Sequence, residues 1–188
     1  MLFSIKTLAD NQAILTGAQT GRRLFGKLVA NAAAQSEPDP AFLDFSGIDV
    51  ATSSFLRESV VAFRDYARST LSNLYPVIAN AAEPVAEELA FFLRHRGDAF
   101  WACELDPVGA PINPRLLGEL DEVQRATFDR VTQLGSASAP ALAAQTTKGS
   151  AIGATAWSNR LSNLAARGLL IERRGGKTKT FTPVLETA

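Results

Sequence analysis

A chain of 188 residues, 46 % hydrophobic and 20 % charged, has the composition of an ordinary soluble globular protein with apolar material for one or two small cores. Its single cysteine, Cys103, excludes an internal disulfide framework and fits a reducing compartment, and no apolar run approaches the roughly 18 residues a membrane span needs. The net charge of zero is unevenly spread: residues 1–119 hold ten Lys/Arg against fourteen Asp/Glu, and residues 120–188 hold nine against five.

From Lys148 onward the balance is seven basic to two acidic residues, so the tail is the candidate for a polyanionic partner. Met1–Lys6 has neither the charged start nor the apolar stretch of a signal peptide, and a cytoplasmic location is expected.

Along residues 1–108, β-prone runs alternate with helical patterns. Phe3–Thr7, Ala13–Thr16, Ala41–Phe45, Asn73–Ile78 and Ala99–Cys103 read as strands. Gly21–Ala34 places Leu24, Phe25 and Leu28 on one helical face. Ser54–Ala67 repeats Leu56, Val60, Phe63 and Ala67, and Glu83–Arg94 repeats Val85, Leu89 and Phe92, with Pro84 in its first turn. The alternation predicts an α/β layer of helices on a mixed sheet. Three prolines and a glycine between Asp106 and Pro114 then predict a boundary, with residues 109–118 as a linker.

Residues 119–188 follow a different pattern. Leu120–Leu134 carries Val123, Phe128, Val131 and Leu134 near one helical face and stops at Gly135-Ser136. Ser138 and Pro140 open a second, short helix. The loop Thr146–Ser150 leads to a third helix that ends at Arg167-Gly168. Leu169–Arg173 and Lys177–Pro183, flanking Gly175-Gly176, read as a hairpin. The predicted fold class is therefore α/β for the front and three helices plus a β-hairpin, the order of a winged helix, for the tail.

On a helical wheel the third helix turns Ala154, Trp157, Leu161, Leu164 and Ala165 toward a core. The opposite face presents Thr155, Ala156, Asn159 and Asn163, flanked by Ser158 and Arg160. Small polar side chains let a helix approach base edges, where Asn and Arg make bidentate contacts. Arg173, Arg174, Lys177 and Lys179 at the hairpin tip suit phosphate contacts beside the groove. A charged hairpin tip can equally be solvated surface, and the domain could serve protein contact only. The run Ala156–Leu170 resembles the recognition helix and first wing strand of bacterial winged-helix transcription regulators. That resemblance implies double-stranded DNA as partner and a dimer reading two half-sites.

In the front region, Phe42–Glu58 runs from an apolar strand ending in Asp44 through Asp49 to a Ser53-Ser54 pair that opens a helix. With Thr20-Gly21-Arg22-Arg23, it resembles the STAS-like domains of unknown function found in bacteria and, more distantly, the STAS anti-sigma-factor antagonists. The resemblance covers about residues 1–108. It implies a mixed α/β sheet, a protein partner such as a kinase or ATP-binding regulator, and Ser54 or Ser53 as phosphorylation sites. The residues themselves leave a simpler role open, in which one serine is the helix N-cap, and Asp44 and Asp49 only shape the loop.

No Gly-rich phosphate loop, paired metal ligands or nucleophile–base set is apparent, so neither enzyme activity nor a cofactor or metal is expected. His95, the only histidine, stands at a helix end, and Cys103 reads as a small buried hydrophobe. Together these features favour a DNA-binding transcriptional regulator with a STAS-like interaction or sensing domain. The alternative is a partner-switching adaptor whose winged helix contacts protein.

Overall fold

A computed structural model describes residues 1–145, 152–176 and 178–186. The chain divides into two units, Met1–Glu119 and Leu120–Ala188.

The first unit is built on a five-stranded sheet. Its strands are β1 (Leu2–Ser4), β3 (Asp39–Asp44), β5 (Leu74–Ala79), β6 (Ala99–Leu105) and β7 (Pro111–Gly118), in the order β1-β3-β5-β6-β7. The first four are parallel and β7 runs antiparallel to β6. A second pairing joins β2 (Ile14–Leu15) to β4 (Val50–Ala51). All residues of β5 are buried, which explains its uninterrupted apolar run, since a central parallel strand is covered on both faces. The helices are α1 (Ile5–Leu8), α2 (Ala18–Asn31), α3 (Ser53–Leu56), α4 (Ala62–Thr70) and α5 (Glu83–Arg94). The mixed α/β architecture expected for the front of the chain is present.

Two expectations are corrected here. Ile5–Thr7 is helical rather than strand, because the Ser4 hydroxyl accepts the Thr7 N–H at 3.3 Å and ends the strand with a cap. Residues 109–118 are no linker, because Pro111–Gly118 forms an edge strand. Proline removes a donor that an edge strand does not need on its open side. The pairing shifts register between Ala102 and Glu104, opposite Asn113 and Pro114.

Residues 53–70 are helical throughout, but Arg57–Val61 widens into a π-helical segment between α3 and α4. The buried Ser59 hydroxyl donates to Phe55 O at 2.7 Å, a local bond that competes with the helix ladder. Helix α2 crosses this region at Gly21, where a Cβ would stand 2.6 Å from Phe55 O and 3.0 Å from Glu58 Cβ. Only glycine permits that approach. Arg64, 4 % exposed, lies farther along the same helix. It donates Nη2 to Asp98 Oδ2 at 2.7 Å, Nη1 to Asp98 Oδ1 at 3.3 Å and Nη1 to Ala99 O at 3.1 Å. Burial opposes its charge, but Asp98 and, to a lesser degree, Asp65 together hold the guanidinium above its usual pKa.

The second unit contains α6 (Glu122–Leu134), α7 (Ala139–Gln145), α8 (Ala154–Ala166), β8 (Leu170–Gly175) and β9 (Thr178–Pro183). Asp121 caps α6 by accepting the Gln124 N–H at 2.8 Å, and Gly135 closes it at φ 67°. Strands β8 and β9 pair antiparallel across Gly176, whose φ of 61° suits glycine. Ala137, just before α7, exchanges both backbone hydrogen bonds with Phe181 of β9, at 2.9 and 2.8 Å. Phe128, Val131, Leu142, Leu161, Leu164, Leu169 and Phe181 are all buried in this unit. The Thr146–Ser150 loop and Lys177 lie outside the described residues.

Candidate nucleic-acid interface

Helix α8 is held by Leu161, Leu164 and Ala165, all buried, from its second turn onward. Its first turn projects past that core. Ala154, expected on the core face, is therefore exposed, and Trp157 is only half-buried. Thr155, Ala156, Asn159 and Asn163 are exposed and Ser158 and Arg160 half-buried, so the structure brings the sequence-predicted outward face together on one side of α8.

The members of that face are not equally available. Arg160 places its guanidinium 5.4 Å from the centre of the Trp157 ring, a cation–π contact that ties it to its own helix. The Trp157 Nε1 is buried and has no hydrogen-bond partner among the described residues. Asn163 Oδ1 lies 3.5 Å from Gln124 Nε2, and Gln124 Oε1 accepts from Arg167 Nη1 at 3.0 Å. Gln124 thus links α6 to α8 through Asn163 and Arg167. Asn159 has no comparable tether among the described residues and keeps both ends of its amide for a partner.

Two recesses flank α8. One, of about 440 Å³, opens between α7, α8 and β9 and is edged by Thr155, Ser158, Asn159, Thr178 and Lys179 over a floor that includes Phe181. The other, of about 490 Å³, is edged by Asn159, Arg160 and Asn163 together with Asp121 and Glu122 at the start of α6. The first recess carries a cation. The second sets two carboxylates against one cation, Arg160, a balance that disfavours a phosphate chain.

The hairpin cations do not form one cluster. Alternation along the paired strands puts Glu172, Arg174, Lys179 and the buried Phe181 on one face, because Glu172 is opposite Phe181 and Arg174 opposite Lys179. Arg173, paired with Thr180, points to the other face. Glu172 accepts from Lys179 Nζ at 2.8 Å and from Arg174 Nε at 3.5 Å, so two of the cations share an internal counterion. Sequence reading missed Glu172, and its only signal was an acidic residue two positions before Arg174. Lys177 cannot be placed, since it lies outside the described residues.

In the first unit, Ser53 and Ser54 open α3, but the cap position belongs to Thr52. Ser54 Oγ lies 3.2 Å from Thr52 Oγ1, which accepts the Gly17 N–H at 3.2 Å. The Ser53 N–H donates to Glu88 Oε1 at 2.8 Å. Neither serine hydroxyl supplies the helix cap, because both residues lie inside the first turn, and Glu88 takes the first N–H. Asp44 Oδ1 accepts from Ser46 N, Ser46 Oγ and Asn80 Nδ2 and thereby shapes the loop after β3. His95 ends α5 with Nδ1 2.9 Å from Phe91 O. Cys103 is buried, and burial pushes its thiol up to about 11. Among the described residues no helix is long and apolar enough to cross a membrane.

The chain shows no significant match to protein-family models, curated proteins or solved structures. The geometry of α8 and the hairpin is thus the basis for any functional reading.

Proposed function

We propose that the second unit is a winged helix-turn-helix domain that binds double-stranded DNA, and that the chain is a transcriptional regulator whose front unit, a STAS-like domain, provides protein contact or sensing. The observation that carries the reading is the shared edge of the α8 outward face and the Lys179 side of the hairpin, joined by one recess. A helix with small polar side chains beside a cationic ribbon fits a groove and its phosphate border. The Ala137–Phe181 bridge ties the segment before α7 to the outer edge of β9 by one antiparallel pair and supports the same reading.

The geometry narrows the contact. Thr155, Ser158 and Asn159 face the cationic recess and are the candidate base-edge readers. Asn163 stands beside Asp121 and Glu122 and is a helix-anchoring residue in this arrangement. Arg174 and Lys179 are the phosphate contacts of the reading face, while Arg173 serves a different one.

The test is binding to a random duplex pool at several salt concentrations, for the wild type and for a variant with Arg173, Arg174, Lys177 and Lys179 changed to Ala. The expected result is log affinity falling linearly with log salt, with a shallower slope in the variant. Absence of binding at low salt refutes the proposal. The acidic pair Asp121 and Glu122 beside α8 favours the second reading, a partner-switching adaptor in which this unit contacts protein. For that reading Ser54→Asp should change the affinity of a co-purifying partner.

A further inference from the structure

We propose that Glu172 is an internal phosphate surrogate: its carboxylate occupies, between Lys179 and Arg174, the place that a DNA backbone phosphate takes when a duplex docks. The inference rests on the DNA reading above and adds the element that sets its strength.

Glu172 is 24 % exposed at its side chain, against 37 % for Lys179 and 74 % for Arg174. Its lower exposure fits its place opposite the buried Phe181, the fourth pair from the hairpin turn and two residues inward of Arg174 and Lys179. The carboxylate is thus seated deeper than the cations it binds, on the hairpin face that carries Lys179 to the recess beside α8. A phosphate arriving along that recess meets Lys179, the cation that Glu172 holds at 2.8 Å, with Arg174 on the same hairpin face. Docking then exchanges one anion for another at Lys179, and the free energy of the duplex contact is reduced by the pairing it displaces.

Two consequences follow. Binding through phosphates alone is weak, since the reading face offers two cations and one carboxylate. A duplex that also satisfies Thr155, Ser158 and Asn159 gains contacts that do not compete with Glu172. The residue therefore lowers affinity for any duplex more than it lowers the ratio between preferred and random sites. Arg173, on the opposite face, is outside this exchange.

Glu172→Gln removes the charge and keeps an acceptor for Lys179, so the hairpin pairing can persist. The experiment measures binding of the full chain to a random duplex pool between 0.05 and 0.3 M salt, values on the scale used to resolve salt slopes. Four proteins are compared: wild type, Glu172→Gln, Glu172→Gln with Lys179→Ala and Arg174→Ala, and Glu172→Gln with Arg173→Ala. One additional phosphate contact steepens the slope of log affinity against log salt by about 0.9 and raises affinity by about eightfold at 0.1 M salt. The Lys179/Arg174 variant should lose that gain and the Arg173 variant should keep it. Far-ultraviolet circular dichroism and the thermal midpoint verify that each variant folds.

The proposal is overturned if the wild type binds duplex and Glu172→Gln, folded, leaves affinity and slope unchanged or weakens binding. It is also overturned if the gain survives loss of Lys179 and Arg174. Absence of binding by both wild type and Glu172→Gln removes the DNA reading, and this inference with it.

Discussion

The buried Arg64–Asp98 pair gives the most quantitative stability prediction. Asp98→Ala leaves a guanidinium that is 4 % exposed without the carboxylate that meets it twice. Removing one partner of a buried pair costs roughly 3–5 kcal/mol. Three hydrogen bonds survive: Asp65, 59 % exposed, accepts from Nη2 at 2.9 Å and from Nε at 3.1 Å, and Ala99 O accepts from Nη1 at 3.1 Å. The expected loss is therefore at the low end, about 3 kcal/mol, or more than a hundredfold in the unfolding constant of the first unit. Cys103 provides the assay. It is the only cysteine, it lies in β6 of the same sheet, and its thiol is buried and held at about 11. Labelling of Cys103 by a thiol reagent at pH 8 should follow opening of the first unit alone, whatever the second unit does. Labelling across a denaturant series then yields the unfolding free energy. Replacing both partners, Arg64→Leu with Asp98→Ala, should recover much of the loss, since an apolar pair leaves no stranded charge. A single Asp98→Ala variant within about 1 kcal/mol of wild type would show that the pair contributes far less than burial implies.

Two further outcomes can be checked with the same reporter. Gly21→Ala places a methyl 2.6 Å from Phe55 O and should cost on the order of 1–3 kcal/mol as α2 is pushed from the π-helical segment; a neutral effect in Cys103 labelling would show that the two helices separate freely. Glu58 is held below its usual 4.5, first by the hydrogen bond from Arg22 and then by Arg57, with burial opposing them. Its contribution is present above pH 4.5 and lost as pH falls through the lower folded value, so Glu58→Gln should flatten the decline in stability below pH 4.5; an unchanged acid profile would exclude that linkage.

Periodicity made most of the elements legible. The core face of α2 at Leu24 and Leu28 and the apolar run of β5 are direct consequences of residue spacing. The errors arose where one residue type serves two purposes. Prolines at 111 and 114 mark a loop in most contexts, yet an edge strand accepts them because one side of its backbone needs no donors. Ser4 is β-compatible in sequence, but its hydroxyl turned the chain into a helical turn. In the candidate interface, the outward residues of α8 could be listed from a wheel. What could not be listed was their accessibility, because Gln124 and Asp121 reach them from a helix about 35–40 positions earlier in the chain. Strand parity separates Arg173 from Arg174 in any hairpin. The pairing of Lys179 with Glu172 depends on the register, which only the folded hairpin reveals.

The register also determines how much DNA one copy could hold. On the reading face, Arg174 and Lys179 are set against Glu172, and Arg160 is engaged with Trp157 beside Asp121 and Glu122. Two cations set against one carboxylate amount to about one net phosphate contact from the described residues and a salt slope of about −0.9, whereas proteins making six to ten contacts show slopes several times steeper. A single domain with so shallow an electrostatic term would detach readily at physiological salt. Two copies on one duplex double the slope and multiply their separate affinities through effective concentration. The proposed regulator therefore depends on a second copy for occupancy. The internal counterion at Glu172 makes that dependence stronger, because it removes the nonspecific affinity with which one domain could have remained bound alone.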